Sequence, residues 1–107
     1  MSEQQNEIEV FQSNLFEKQL KKLSTNELTL VEDEIDIIIG NPEIGERKKG
    51  DLAYLWVHKF KMNNQLVLLG YSWKDAELEL YLLSVGPHEN FYDNMKQRRK
   101  ADLKLIG

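Results

Sequence analysis

The chain has 107 residues and no cysteine, so it is long enough for one small domain with a modest core, while disulfides and cysteine zinc sites are excluded. Its 41% hydrophobic and 30% charged residues are typical of a soluble globular protein and not of a disordered tail. A net charge of −4 argues against nonspecific nucleic-acid binding, because the neutralisation of phosphates supplies most of that affinity.

The N-terminal stretch, residues 1–10, is polar and acidic, without the basic start and apolar centre of a signal peptide. No apolar run approaches the roughly 20 residues that a membrane-spanning helix needs. We therefore expect a cytoplasmic protein with no membrane partner.

Charge is unevenly distributed along the chain. Residues 1–40 carry nine acidic and three basic side chains, a net of −6, whereas residues 41–107 carry nine acidic and eleven basic ones, a net of +2. The acidic part is typical of a solvated helix surface. The C-terminal part could present a modest basic surface to an anionic partner.

Two amphipathic helices are predicted after a short strand at residues 7–11. Ser13 can cap the first helix, in which apolar residues recur at helical spacing. These are Phe16, Leu20 and Leu23. Ser24 and Glu27 match a capping box at the start of the second helix, and Gly40 ends it. The turn between the helices is short, so they form an antiparallel hairpin whose apolar faces need a covering surface.

Three strands in a meander are predicted after a loop at residues 41–51. They cover residues 52–61, 65–73 and 77–85, and Asn63-Asn64 supplies the turn between the first two. The third strand has apolar side chains on both faces, which predicts a central position in the sheet. The two sets are Leu78, Leu80 and Leu82 on one face, and Tyr81, Leu83 and Val85 on the other.

A closing helix is predicted from Pro87, at its first position, to about residue 103. The expected fold class is α+β: an N-terminal helical hairpin packed on a twisted antiparallel sheet of about four strands, with the closing C-terminal helix. The Gly86-Pro87 break would deliver His88, Glu89 and Tyr92 to one edge of the sheet. These residues could form a site or an ordinary strand end.

At this point the order of the elements and five short segments resemble the RelE/ParE superfamily of bacterial type II toxin–antitoxin toxins. The segments are FEKQLKKL (16–23), NPEIGE (41–46), KGDL (49–52), HKFK (58–61) and VGPHENFY (85–92). The resemblance implies a single toxin domain over residues 1–107, with a core at about 8–97 and a flexible basic C-terminal tail.

The resemblance implies a toxin that arrests growth, and it leaves the target open. One branch of the superfamily holds ribosome-dependent mRNA endonucleases (mRNA interferases), which inhibit translation by cutting mRNA through attack of a ribose 2′-OH. Another branch poisons DNA gyrase without catalysis, and an inactive relative would only bind an antitoxin. In each case the implied partner is a cognate antitoxin whose tail folds on binding. The other partner would be mRNA on the ribosome, or gyrase.

In the endonuclease branch, the resemblance implies catalytic roles for Lys59, Lys61, His88 and Tyr92. The lysines would hold the scissile phosphate, His88 would transfer a proton, and Tyr92 would position the nucleotide. The chemistry needs no metal and no cofactor, because a base, an acid and cations that stabilise the phosphorane suffice. This branch usually carries an arginine on the following strand, where this chain has Leu68, or Gln65 if the hairpin is aligned differently.

Other candidates have two interpretations each. The run Arg47, Lys48 and Lys49 could contact the substrate's phosphates or form a solvated loop. His58 could pair with His88 in acid–base chemistry or be an ordinary surface or core residue. Glu46 and Glu89 could act as bases, although neither has a sequence neighbour that clearly raises its pKa. The aromatic residues of the strands could stack on bases, but more often form core: Tyr54, Trp56, Tyr71 and Trp73.

Overall fold

The computed structural model describes residues 7–107. Residues 1–6, part of the stretch expected to lack a signal peptide, lie outside the described residues. The strands are β1 (Glu9–Gln12), β2 (Glu46–Arg47), β3 (Trp56–Met62), β4 (Gln65–Lys74) and β5 (Glu79–Pro87). The α-helices are α1 (Asn14–Lys21), α2 (Thr25–Gly40) and α3 (Phe91–Ile106), and a single 3-10 turn spans Gly50–Leu52.

The strands form one five-stranded mixed sheet in the order β1-β5-β4-β3-β2. The expected sheet of about four antiparallel strands is therefore corrected in two ways. β1 pairs in parallel with β5, and β2 adds a short antiparallel edge to β3. β2 is only two residues long and lies in a segment rich in glycine and charge, so neither alternation nor length marks it as a strand. The predicted central position of the third meander strand is confirmed, since β5 lies between β1 and β4.

Both predicted helix starts are confirmed by their caps. The Ser13 hydroxyl accepts a hydrogen bond from Phe16 N at 3.0 Å and donates one to Leu83 O at 2.9 Å. The same side chain thus begins α1 and attaches it to β5. Ser24 and Glu27 form the capping box of α2, with distances of 3.2 Å and 2.9 Å.

The helical hairpin covers one face of the sheet, which we call the hairpin face. Its core joins side chains from both helices to those of β3, β4 and β5. The buried members are Phe16, Val31, Ile38, Phe60, Val67, Leu69, Tyr71, Leu80, Leu82 and Val85. This packing is the one that the helical spacing of apolar residues predicts.

Strand alternation predicted that Val85 shares a face with Tyr81 and Leu83. This prediction is wrong, because Val85 lies on the hairpin face. The cause is a register shift: Gly70 pairs with Ser84 and Tyr71 with Leu82, which leaves Leu83 as an extra residue on β5. Such a β-bulge reverses the alternation beyond it. Gln19 of α1 contacts the bulged segment, accepting from Val85 N at 2.8 Å and donating to the Ser84 hydroxyl at 3.2 Å.

α3 covers part of the other face of the sheet, which we call the α3 face. The buried core there comprises Leu52, Leu55, Val57, Leu68, Tyr81, Leu83, Phe91 and Met95. The helix begins at Phe91 and not at Pro87, because Pro87 still pairs with Val67 at the end of β5. Asn90 precedes the helix with φ +63°, a left-handed conformation that asparagine tolerates better than most residues.

The segment expected to be a flexible basic tail is the second half of α3, which continues to Ile106. Asp102 is 1% exposed, and Ile106 packs against the core of the α3 face. The sequence did not indicate this contact, because charged residues, the basic run and Asp102, interrupt the apolar spacing in this half of the helix.

The turn between β3 and β4 consists of Asn63 and Asn64, with φ of +55° and +65°. Two left-handed residues in a two-residue loop match the twist of a tight hairpin, and asparagine is one of the residues that favour it. The Asn63 amide also donates to Glu27 Oε2 at 2.8 Å, so the turn contacts the capping box of α2.

Ile38 and Ile37 provide a test of the hairpin packing. Ile38 is fully buried, whereas its neighbour Ile37 is 44% exposed. Ile38→Ala should lower the free energy of unfolding by about 2–5 kcal/mol, because it removes buried methyl groups and leaves a cavity. Ile37→Ala is the matched control and should cost less than about 1 kcal/mol. Equal urea midpoints for the two variants would contradict this packing.

Asp102 gives a second prediction, because its carboxyl is buried under α3. Burial raises the pKa of Asp102 from 3.8 to about 6, and Arg98 opposes this only in part. Asp102 Oδ2 and Arg98 Nε are both buried without a hydrogen-bond partner. The folded state therefore holds the Asp102 proton more tightly than the unfolded state does.

The free energy of unfolding should accordingly fall as pH rises from about 4 to about 6, by on the order of 2–3 kcal/mol from this group. Asp102→Asn should remove that decline and stabilise the protein at pH 7–8. Asp93→Asn, on an exposed side chain in the first turn of the same helix, is the control and should not stabilise it. Urea unfolding across pH 4–8 measures both, and parallel pH curves for wild type and Asp102→Asn would refute the prediction.

Candidate functional site

Lys59 and Lys61 project from β3 onto the α3 face, as strand alternation predicts. Val57, two residues earlier on the same strand, is buried in the core of that face. Lys59 pairs with Leu68 and Lys61 with Leu66 on β4, and both lysines are exposed. Beyond the core, this face therefore presents two solvated cations on a rigid strand.

His88 and Tyr92 lie together where β5 leads into α3. Their ring centroids are 6.3 Å apart in an edge-to-face arrangement, and Phe91 packs edge-on against Tyr92 at 5.3 Å. His88 is exposed, and its carbonyl accepts a hydrogen bond from Phe91 N at 3.2 Å. The end of β5 at Gly86-Pro87 thus places an imidazole and a phenol together at one end of this strand, as the sequence predicted.

Lys48, which directly follows the edge strand β2, contacts Tyr92 from another part of the sheet. Its backbone N–H donates to Leu55 O at 2.9 Å, which continues the β2–β3 pairing and directs the side chain to the α3 face. Lys48 Nζ lies 5.0 Å from the Tyr92 ring centroid and 3.1 Å from Glu46 Oε1. A cation over an aromatic ring is attracted by the negative face of the ring.

The charges of Lys48 and Glu46 stabilise each other. Burial opposes the charged form of Lys48, but its interactions with Tyr92 and Glu46 outweigh burial and raise the pKa of the ammonium. The hydrogen bond and the charge of Lys48, followed by the charge of Lys59, lower the pKa of the Glu46 carboxyl. The pair is therefore ionised at neutral pH, with a negative group beside two lysines.

The basic run at residues 47–49 does not act as one unit. Arg47 belongs to the hairpin face, where its guanidinium carbon lies 5.9 Å from the Trp56 ring centroid. Its Nε donates to Ala53 O at 3.2 Å. Lys49 is exposed just before the 3-10 turn. Of the three predicted phosphate ligands, the structure brings only Lys48 to Tyr92.

His58 does not pair with His88, because alternation places it on the hairpin face. There its Nε2 lies 2.6 Å from Glu34 Oε1 on α2, and both side chains are largely buried. The aromatic residues of the strands are also mainly structural. Trp56 and Tyr71 stack at 6.3 Å, and the buried Tyr71 hydroxyl donates to Pro42 O at 2.6 Å.

The α3 face thus combines three kinds of group suited to a phosphate diester, namely cations, an imidazole and a phenol, together with one carboxylate. We define the candidate site as Lys48, Lys59, Lys61, His88 and Tyr92, with Glu46 at its margin. The contact between Lys48 and Tyr92 was missed by the sequence analysis, because the signal depends on knowing that β2 exists. Once Glu46 and Arg47 form a strand, alternation places Glu46 and Lys48 on the same face.

Within residues 7–107, no three His, Asp or Glu side chains are grouped so as to hold a metal ion. In the same part of the chain, no helix combines the length and apolar character needed to cross a membrane.

With this fold and site described, the family can be stated. The chain belongs to the ParE-like toxins of type II bacterial toxin–antitoxin systems, whose family model matches residues 10–96. This confirms the resemblance to the RelE/ParE superfamily. No curated protein matches the sequence.

Solved structures of the E. coli toxin RelE share the fold. An arginine-to-alanine double mutant of RelE in the free state has a TM-score of 0.66 at 16% identity, covering 87% of this chain and 96% of that chain. The intact E. coli RelBE toxin–antitoxin complex matches with a TM-score of 0.62 at 18% identity, covering 78% of this chain and 99% of that chain. The same mutant in complex with an antitoxin RelBc peptide matches at 0.62 and 17%, covering 81% and 92%.

Gly45 tests how β2 is positioned. A Cβ at Gly45 would lie 2.7 Å from the Tyr71 hydroxyl and 2.9 Å from Val57 O, which is backbone of the sheet. Gly45→Ala should therefore lower the free energy of unfolding by about 1–3 kcal/mol, because β2 must move to relieve the overlap. A Cβ at Gly40 would meet nothing within 4 Å, so Gly40→Ala is the matched control and should be neutral or stabilising. Thermal unfolding would decide, and an undisturbed melting temperature for Gly45→Ala would contradict the tight approach.

Proposed function

We propose that this toxin arrests growth by cutting mRNA on the ribosome. The observation that carries the proposal is that Tyr92 contacts both Lys48 and His88, and that Lys59 and Lys61 lie on the same face of the sheet. Phosphate diesters are bound by convergent cations, and cleavage by RNA's own 2′-OH requires only proton transfer and charge stabilisation in addition. The RelE-like fold supports the same assignment.

The proposed reaction forms one bond and breaks one. A base removes the ribose 2′-OH proton, and the 2′ oxygen attacks the adjacent phosphorus. The pentavalent phosphorane then expels the 5′ oxygen, which takes up a proton, and a 2′,3′-cyclic phosphate remains. His88 is assigned the proton transfer, since an imidazole can both accept and donate a proton near neutral pH. The lysines stabilise the charge of the phosphorane, and Tyr92 positions the nucleotide.

A cognate antitoxin is the proposed partner in the cell. The support comes from the family and from the solved E. coli complexes, in which a RelE toxin is bound to its antitoxin. We propose that the antitoxin's tail folds on binding, because a segment that folds on its target can cover a large surface.

Gyrase poisoning is the second candidate, and one observation favours it. The matching family model is that of the ParE-like toxins, and the superfamily branch of that name acts on gyrase. The site then has no catalytic role, and the exposed lysines are a solvated surface. An inactive relative that only binds an antitoxin is the remaining alternative.

The decisive experiment is primer extension on ribosome-bound mRNA, with a supercoiling assay on purified gyrase in parallel. Wild type should cut the mRNA, and His88→Ala should slow cutting by about 10²–10⁴-fold, as expected for loss of an acid or base. Lys59→Ala should also reduce cutting, because it removes a cation from the phosphorane. Lys18→Ala, on the exposed surface of α1, is the matched control and should leave the rate unchanged.

Three results would separate the candidates. Intact mRNA together with stalled gyrase would establish the second one. Intact mRNA and active gyrase would leave only antitoxin binding. Unimpaired cutting by His88→Ala would keep the endonuclease function and remove the proton-transfer role of His88.

A further inference from the structure

A carboxylate already contacts one cation of the candidate site and lies near a second. Glu46 Oε1 accepts from Lys48 Nζ at 3.1 Å. On the next strand, Glu46 pairs directly with Val57, and Lys59 follows two residues later on the same face. In an antiparallel pair, such a diagonal neighbour is within reach of long side chains. Glu46 therefore lies where its negative charge acts on both lysines.

We propose that Glu46 is an internal anion that occupies the phosphate-binding position of this face until RNA phosphate displaces it. The inference rests on the proposed function, because it assumes that Lys48 and Lys59 bind substrate phosphate. Glu46 would not be identified from contacts with the substrate, because it acts through the lysines. Glu46 is thus a positioning residue and not a catalytic one.

The two partners of the ion pair differ in exposure, which allows the exchange. The Lys48 side chain is only 21% exposed and lies against the Tyr92 ring, whereas the Glu46 side chain is 63% exposed. Lys48 can therefore stay in place while Glu46 rotates into solvent. Exposed ion pairs contribute little, so a phosphate with several contacts can displace the carboxylate.

The lowered pKa of the Glu46 carboxyl agrees with this arrangement. Lys48 is the main cause, through a hydrogen bond and through its charge, and Lys59 contributes. The carboxylate is thus charged at neutral pH and competes with any anion for the same two cations. Free RNA should bind more weakly than the number of lysines on the face suggests.

The test is fluorescence anisotropy of a short labelled single-stranded RNA with 2′-O-methyl groups, which the toxin cannot cut. Glu46→Gln should bind this probe about two- to fivefold more tightly than wild type at low salt. Its affinity should also depend more steeply on salt, since additional phosphate contact increases counterion release. The matched control is Glu43→Gln, an exposed carboxylate whose charge acts on Tyr71, a residue of the hairpin face.

A double-variant cycle separates displacement at Lys48 from a general charge effect. Lys48→Met keeps a long side chain against Tyr92 and removes the cation. In the Lys48→Met background, the gain from Glu46→Gln should shrink markedly. Equal gains for Glu46→Gln and Glu43→Gln, or an undiminished gain in the Lys48→Met background, would overturn the proposal, as would an absence of probe binding by wild type and Glu46→Gln alike.

The result is separable from the proposed function. If wild type leaves ribosome-bound mRNA intact while Glu46→Gln still tightens probe binding, the endonuclease function fails and the displacement of Glu46 stands. If mRNA is cut but the Glu46→Gln gain is absent, the function stands and this inference fails. Matching melting temperatures among the variants would show that folding does not account for the differences.

Discussion

The burial of β5 on both faces is the constraint from which the rest of the fold follows. Its side chains contribute to the core under the helical hairpin and to the core under α3. α1 is attached to it through two side chains: the Ser13 hydroxyl donates to Leu83 O, and the side-chain oxygen of Gln19 accepts from Val85 N. Because β1 and β4 flank β5, the strand has no edge exposed to solvent along its paired length. Such a strand cannot shift without disturbing both cores.

The bulge in β5 connects this constraint to the candidate site. The extra residue, Leu83, lets both it and Val85 be buried although they face opposite cores. The strand then ends at Pro87, and the exposed His88 and half-buried Tyr92 follow from a rigid base. Lys59 and Lys61 lie on β3, which pairs with β4 along its whole length, so most of the candidate site is built on regular structure. Two members lie outside the helices and strands: Lys48 directly follows β2, and His88 lies in the turn between β5 and α3.

Much of this fold was predictable because local signals and tertiary packing agree. The capping residues Ser13 and Ser24 and the apolar spacing of the hairpin located α1 and α2 within a few residues. What escaped prediction has specific causes. The direction of β1 depends on a partner strand about 70 residues away. β2 is too short to show alternating polar and apolar side chains. The bulge in β5 reverses the faces on which the side chains beyond it lie. For the site, alternation predicted that Lys59 and Lys61 share a face, but it could not show that Lys48 reaches Tyr92 from another strand.

The two-asparagine turn between β3 and β4 has a consequence for how the sequence of this chain can vary. The turn sets the register of the hairpin, and a slip of one residue would exchange the faces of every side chain on β3. His58 and Phe60 would then be exposed on the α3 face, and Lys59 and Lys61 would be forced into the apolar core under α2. Point substitutions can therefore tune the cationic surface freely, whereas single-residue insertions or deletions in β3 would eliminate it in one step. Along this strand the fold therefore tolerates substitutions but not changes in the number of residues.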